Sequence, residues 1–183
     1  MGQKFLELSE AHLAFIHEQQ LYFVATADVD GRVNVSPKGL DTFRVINNRQ
    51  IMWLNLTGSG NETAAHVQNN SRMTIMFNAF VGAPLILRLY GSAQVIHHND
   101  SSWQKHYSLF EDLIGARQIF VMDIDLVQSS CGMAVPLYDY KQQREALLTS
   151  GQRKGVEGIK TYWRERNHSS IDGKPTYIVE KNL

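Results

Sequence analysis

An antiparallel β-barrel or sandwich flanked by helices is the fold class this sequence predicts, and three observations carry the prediction. Runs rich in β-branched and aromatic residues recur at 22–27, 32–36, 43–46, 50–56, 73–77, 85–96 and 118–126. The links between many of them are turn-like, as at Asp30-Gly31 and Asn47-Asn48. Helical patterns are few and do not alternate regularly with the strands, which disfavours a doubly wound parallel sheet.

Near the amino terminus, Ser9 is placed to cap a helix with Leu13, Phe15 and Ile16 on its apolar side. After the turn at Asp30-Gly31, residues 32–36 alternate strictly, setting Val33 and Val35 on one face and polar residues on the other. Pro37 and Gly39 are expected to end that strand and leave Lys38 on a bend, because proline has no N–H to donate to a sheet. The apolar run that closes at Leu56 passes through Thr57-Gly58-Ser59-Gly60 into a helical run over 62–68, with Asn61 as its N-cap. Trp103, Tyr107, Phe110 and Leu113 fall at helical spacing after Asp100 and predict a packed helix over 99–113. A long alternating strand, 118–126, follows. Beyond an irregular aromatic stretch, a charged helical run over 142–166 is interrupted by Gly151, Gly155 and Gly158. The expected organisation is a barrel domain with an N-terminal helix over 1–128 and a loop and helical extension packed on it over 129–183.

Composition removes several function classes. A chain of 183 residues, 43% hydrophobic and 20% charged, can bury a sizeable core. Eighteen basic residues balance eighteen acidic ones without clustering, so no nucleic-acid partner is expected. No apolar leader or bilayer-length window is visible, which predicts a cytoplasmic protein with no membrane partner. The single cysteine, Cys131, allows no internal disulfide and reads as a buried structural thiol. His97 and His98 point to opposite faces of a strand, and His12 and His17 miss the spacing of one helical face, so no metal site is expected. His66 reads as a helix-packing or surface residue.

The chemistry-bearing stretch is the junction from Leu54 to His66. A strand that turns through glycines into a helix exposes the helix's first N–H groups at the positive end of its dipole, a ready anion site. Thr57, Ser59, Asn61 and Thr63 could add side-chain hydrogen bonds. The dinucleotide fingerprint fails because Thr63 stands where its third glycine should fall. The triphosphate loop fails for want of Gly-Lys-Ser/Thr.

Taken together, Phe23-Val24-Ala25-Thr26-Ala27, Val35-Ser36-Pro37-Lys38-Gly39, the stretch from Trp53 to His66 and Leu87-Arg88-Leu89-Tyr90-Gly91 resemble the pyridoxamine 5′-phosphate oxidase-like flavoproteins. Ser130-Cys131-Gly132, Val135-Pro136-Leu137-Tyr138 and Ser170-Ile171-Asp172-Gly173 extend the resemblance over nearly the whole chain. It implies an FMN-binding split barrel, mainly β with flanking helices, and a homodimer with the cofactor at the interface. Carried over by motif, Lys38, Thr57, Asn61, Glu62 and Thr63 would hold the flavin phosphate, Glu62 through its backbone N–H with its carboxylate turned away. Ser36, Pro37 and Leu56 would lie along the ribityl chain or the ring, and Arg88 would reach a flavin across the interface. The implied activity is an oxidoreductase acting on a small molecule. A non-catalytic flavin- or haem-binding protein and a reductase using the deazaflavin F420 are the alternatives. The phosphate turn lacks the basic pair of the oxidase proper, having Asn61-Glu62-Thr63 there, so the vitamin B6 reaction itself does not carry over.

Overall fold

The computed structural model describes residues 2–183. Eight strands make one antiparallel sheet: β1 (Gln3–Phe5), β2 (Tyr22–Thr26), β3 (Asn34–Lys38), β4 (Phe43–Asn47), β5 (Gln50–Leu56), β6 (Arg72–Asn78), β7 (Ile86–Ile96) and β8 (Ala116–Ser130). Their spatial order is β3-β2-β6-β7-β8-β5-β4, with β1 added to β8. The sheet curls but does not close, which is a split barrel.

The helices are α1 (Glu10–Glu18), α2 (Glu62–Asn69), α3 (Trp103–Tyr107), α4 (Ala146–Tyr162) and α5 (Ile178–Asn182). At the start of α1, Ser9 and His12 form a reciprocal capping pair, each side chain bonded to the other's backbone N–H. α4 breaks at Gly155, whose backbone (φ 63°, ψ 178°) leaves the helical region. A π-helical turn, Trp163–Asn167, continues from it.

Strand β5 is buried on both faces and divides the core. Ile51 and Trp53 point into the barrel with Val24, Ile75, Leu87, Leu89, Phe120 and Met122. Met52 and Leu54 point the other way, onto Ile119, Val121, Ile96 and Phe110. Trp53 and Phe120 stack with ring centres 4.6 Å apart. Each fully buried side chain of this size contributes roughly 1.5–3 kcal/mol.

Several expectations change. The strand expected to end at Pro37 runs through it to Lys38, which pairs with Tyr22. Proline is tolerated because β3 is an edge strand, whose outer side makes no ladder bonds. The valine face of β3 is the outer one: Val33 and Val35 are 69% and 61% exposed, while Asn34, Ser36 and Lys38 are half-buried. The helix expected over 99–113 shrinks to α3. Asp100 accepts from His97 N–H instead of capping it, and the chain turns after Ser108, yet Phe110 and Leu113 still reach the same apolar cluster. Cys131 is exposed, not buried, because it lies just past the end of β8 where the chain leaves the sheet. β8 extends to Ser130, so the expected boundary after residue 128 falls inside a strand. His66 is buried in helix packing, its Nδ1 3.1 Å from Thr26 Oγ1.

The extension after β8 returns to the barrel. Lys174 reaches Asp28 and Asp30, and Asp172 meets Arg32, so the loop at 170–174 is tied to the β2–β3 connection. α5 then docks at the far end of β7, where Asn182 Oδ1 lies 2.9 Å from His97 Nδ1.

Candidate anion and cofactor site

The turn from β5 into α2 is held from behind by the extension. Thr57 N–H and Oγ1 both donate to Gly115 O at 2.8 Å, and Trp163 Nε1 donates to Thr57 Oγ1 at 2.8 Å. The Thr57 hydroxyl is thus committed within the chain. Asn167 Nδ2 donates to Gly58 O at 3.0 Å, and its backbone oxygen accepts from Asn61 Nδ2 at 3.3 Å. Asn61 occupies the N-cap position of α2 but makes no capping bond. Its Oδ1 is buried without a partner among the described residues.

Glu62 turns its carboxylate to the extension, accepting Ile171 N–H at 3.1 and 3.0 Å. The carboxylate stays beside the turn all the same: a Cβ built on Gly60 would lie 3.4 Å from Glu62 Oε1. Thr63 Oγ1 accepts from Asn34 Nδ2 at 3.3 Å, linking the turn to β3. Ala65 is the first residue of α2 to donate within it, to Asn61 O at 3.4 Å. The N–H groups of Glu62, Thr63 and Ala64 precede that first bond, as the orphan donors of a helix start.

Two cations, a half-buried lysine and a buried arginine, lie near this region. The Lys38 ammonium lies 5.1 Å from the centre of the Trp53 ring. Burial, and secondly the charge of Arg117, pulls its pKa from 10.5 down to about 8. Arg117, at the start of β8, is 2% exposed, and burial pulls it from 12.5 down to about 9, with Tyr162 and Glu62 countering part of the effect. Both remain protonated at neutral pH. Among the described residues neither forms an ion pair. Arg117 Nη1 donates to Asn167 Oδ1 at 2.9 Å, and its Nε is an unpartnered buried donor, as are Trp53 Nε1 and Gln118 Nε2.

An isolated buried charge is costly, and orphaned buried donors cost about 1–3 kcal/mol each. Positive charge and surplus N–H groups fit a phosphate and would repel a cation. Flavin mononucleotide meets that test through its phosphate, with Lys38, Arg117 and the α2 amides as the groups that would hold it.

The remaining expected residues divide. The Ser36 hydroxyl is buried and unpartnered on the same inward face of β3 as Lys38. Pro37 lies on the outer face with the valines, opposite Phe23. Leu56 ends β5 opposite Ala116 and lines a cleft of about 160 Å³ under α4 with Ile114, Gly151 and Ile159. Arg88 sits toward the other end of β8 from Arg117, paired with Gln128 and donating to Ser130 Oγ at 3.0 Å. Through Met76 and Phe23 it shares a row across the sheet with Pro37, three strands away.

Sequence reasoning missed Arg117, Gln118 and Asn167. Arg117 and Gln118 open a run of β-branched and apolar residues, where a charged side chain buried at a strand start is a weak but readable signal. Asn167 carries no local signal, since Gly58 and Asn61 lie more than a hundred residues away in the chain and Arg117 lies fifty away.

An open antiparallel barrel whose edge strand, helix start and returning extension border a positively charged, donor-rich corner defines the class: a split-barrel protein. The pyridoxamine 5′-phosphate oxidase family model matches residues 8–131. The chain is also 41% identical over 175 residues to the pyridoxamine 5′-phosphate oxidase family protein ustO of Aspergillus flavus, covering 86% of this chain and 70% of that one. It belongs to the pyridoxamine 5′-phosphate oxidase family. Among solved structures it is similar to a protein of Lactobacillus delbrueckii titled as a pyridoxamine 5′-phosphate oxidase, with TM-score 0.54, 21% identity, and coverage of 67% of this chain and 94% of that one. It is likewise similar to HupZ of Group A Streptococcus, with TM-score 0.52, 18% identity, and coverage of 65% and 91%. These two similarities establish the split-barrel fold.

Proposed function

We propose that this chain is an FMN-dependent oxidoreductase acting on a small organic molecule. The observation that carries the reading is a pair of cations without ion-pair partners, half-buried Lys38 and buried Arg117, together with the free amides of α2, in a member of this family. Lys38 and Arg117 would neutralise the phosphate, and the α2 amides would orient it. The Ser36 hydroxyl would serve the ribityl chain. Bound FMN would supply hydride and single-electron transfer, which the side chains of this site do not provide by themselves.

The outer face of β3 supports a homodimer with the cofactor near its interface. Val33 and Val35 stand exposed on it, and Met133, Leu137 and Tyr138 are exposed in the segment after β8. Exposed apolar side chains such as these are the usual material of a subunit contact. Among the described residues no helix is long and apolar enough to cross a membrane.

The test is the absorbance spectrum and mass of whatever co-purifies, followed by titration of the apoprotein with FMN and turnover with NADH or NADPH. Flavin bands near ~450 nm and reduction and reoxidation at catalytic rates are expected. A Soret band, a deazaflavin spectrum, or failure to take up FMN overturns the cofactor assignment. Tight FMN binding with no turnover overturns the enzymatic part alone.

A further inference from the structure

Asn167 lies in the carboxy-terminal extension, beyond the part of the chain that the family model matches, yet it is fully buried against the candidate site. Its whole hydrogen-bonding capacity is spent there. Oδ1 accepts from Arg117 Nη1 at 2.9 Å, and Nδ2 donates to Gly58 O at 3.0 Å and toward Ser59 O at 3.5 Å. Its backbone oxygen accepts from Asn61 Nδ2 at 3.3 Å and from Thr176 Oγ1 at 2.5 Å. One side chain therefore touches the guanidinium, the two carbonyls of the turn and, through its backbone, the residue that opens α2.

The local backbone suits this role. Trp163–Asn167 is a π-helical turn, a rare widening that recurs at functional sites. It brings Trp163 and Asn167 against the same turn, Trp163 on Thr57 and Asn167 on Gly58 and Ser59. The Gly58 carbonyl accepts from both Asn167 Nδ2 at 3.0 Å and Arg117 Nη1 at 3.5 Å, so side chain and guanidinium hold the same peptide of the turn. The Arg117 guanidinium is fixed through Nη1, which leaves Nε as the unpartnered donor.

We infer that Asn167 is a positioning residue of the anion site, through which the carboxy-terminal extension aims Arg117 and the β5–α2 turn at the phosphate of the ligand. The inference rests on the flavin reading for the identity of that ligand. The arrangement itself requires only a phosphate. An asparagine suits the position better than an aspartate, because an aspartate would keep the bond to Arg117 but cancel its charge and lose the donors to Gly58 and Ser59.

The experiment compares FMN, riboflavin and inorganic phosphate on the full-length apoprotein, in wild type, Asn167→Asp and Asn167→Ala. FMN and riboflavin differ only by the phosphate, so their affinity ratio isolates the anion site from the rest of the pocket. Asn167→Asp is expected to weaken FMN by about ten- to a hundredfold, the range of a charge-assisted hydrogen bond, with riboflavin unchanged within about twofold. Asn167→Ala should lower the same ratio by less, and it supplies the measurement if the aspartate variant does not fold. A ratio left unchanged in whichever variant folds, or an equal loss for both ligands, overturns the inference and makes Asn167 a structural prop. Thermal protection by inorganic phosphate separates the two levels of the argument. If wild type is protected by phosphate and Asn167→Asp is not, while FMN fails to bind, the flavin reading falls and the positioning role stands. If wild type is protected by neither phosphate nor FMN, both fall.

Discussion

Lys38 lies within reach of the Arg117 charge: burial first, and Arg117 second, hold the Lys38 ammonium at a pKa of about 8, and no carboxylate forms an ion pair with either among the described residues. Two like charges sequestered without a counter-ion are an unfavourable arrangement for an empty protein. It becomes favourable once a dianion lies between them and the α2 amides.

Removing Lys38 should therefore separate binding from stability. Lys38→Ala is expected to weaken FMN binding by about 1–3 kcal/mol through loss of a charge-assisted hydrogen bond. Because Lys38 makes no hydrogen bond of its own among the described residues, the apoprotein's melting temperature should not fall in step. Fluorescence titration and thermal denaturation of the same samples check both halves, and unaltered FMN affinity refutes the assigned role.

The depressed pKa of Lys38 gives opposite pH trends for ligand and fold. As pH rises through about 8 the lysine loses its charge, so FMN affinity should fall while riboflavin affinity stays flat. The unfolded chain holds that proton up to about 10.5, so the folded apoprotein sheds it first and gains stability between about 8 and 10.5. Titrations and melting curves at pH 7, 8 and 9 test the pair of slopes. Lys38→Met should flatten both.

On the acid side the sensitive group is His97. Burial holds it at about 4 against an ordinary 6.5, and its Nε2 is unpartnered. Between those values the unfolded chain binds a proton that the folded chain refuses, so stability should fall as pH drops from 6.5 toward 4. His97 Nδ1 bonds Asn182, whose Nδ2 donates to Arg117 O at 2.6 Å, so protonation should loosen α5 first. Hydrogen exchange of α5 at pH 5 and 7 is the measurement. His97→Asn, which cannot take up the proton, should flatten the profile.

Gly91 marks the bulge where β7 and β8 shift register. A Cβ there would sit 1.9 Å from Asp123 O, against backbone that cannot swing aside. Gly91→Ala is expected to destabilise the protein by roughly 3 kcal/mol. That loss lowers the melting temperature by about 6–12 °C for a domain of this size. An unshifted melt would mean that β8 can move off β7 at this point.

Much of the barrel was legible in the sequence because its signals are local. The apolar, β-branched and aromatic runs of β2 and β5 and the glycine turn into α2 are specified by neighbouring residues, and each appears close to where its pattern stands. Alternation along β3 distinguished two faces but could not say which lies inside, and the polar one does, because it lines the anion corner. The stretch around Trp103 had helical spacing and the right apolar contacts, yet folds mostly as irregular chain. Lys38, Asn61 and Thr63 could be singled out from motif. Arg117 and Asn167 could not, since their partnership joins residues fifty apart and exists only once the extension has returned.

Pro37 limits how this protein can associate. It lies in β3, one rim of the sheet, and gives no N–H to an incoming strand, while the other rim, β4, carries the irregularity between Val45 and Asn47. Growth by adding strand to strand, the route to fibrils, is obstructed at these two rims, and the remaining free edge is the three-residue β1. What stays open to contact is the broad outer surface bearing Val33 and Val35, and a surface used face to face is consumed when two molecules meet. Two molecules meeting on that surface would therefore close into a finite particle instead of seeding a filament.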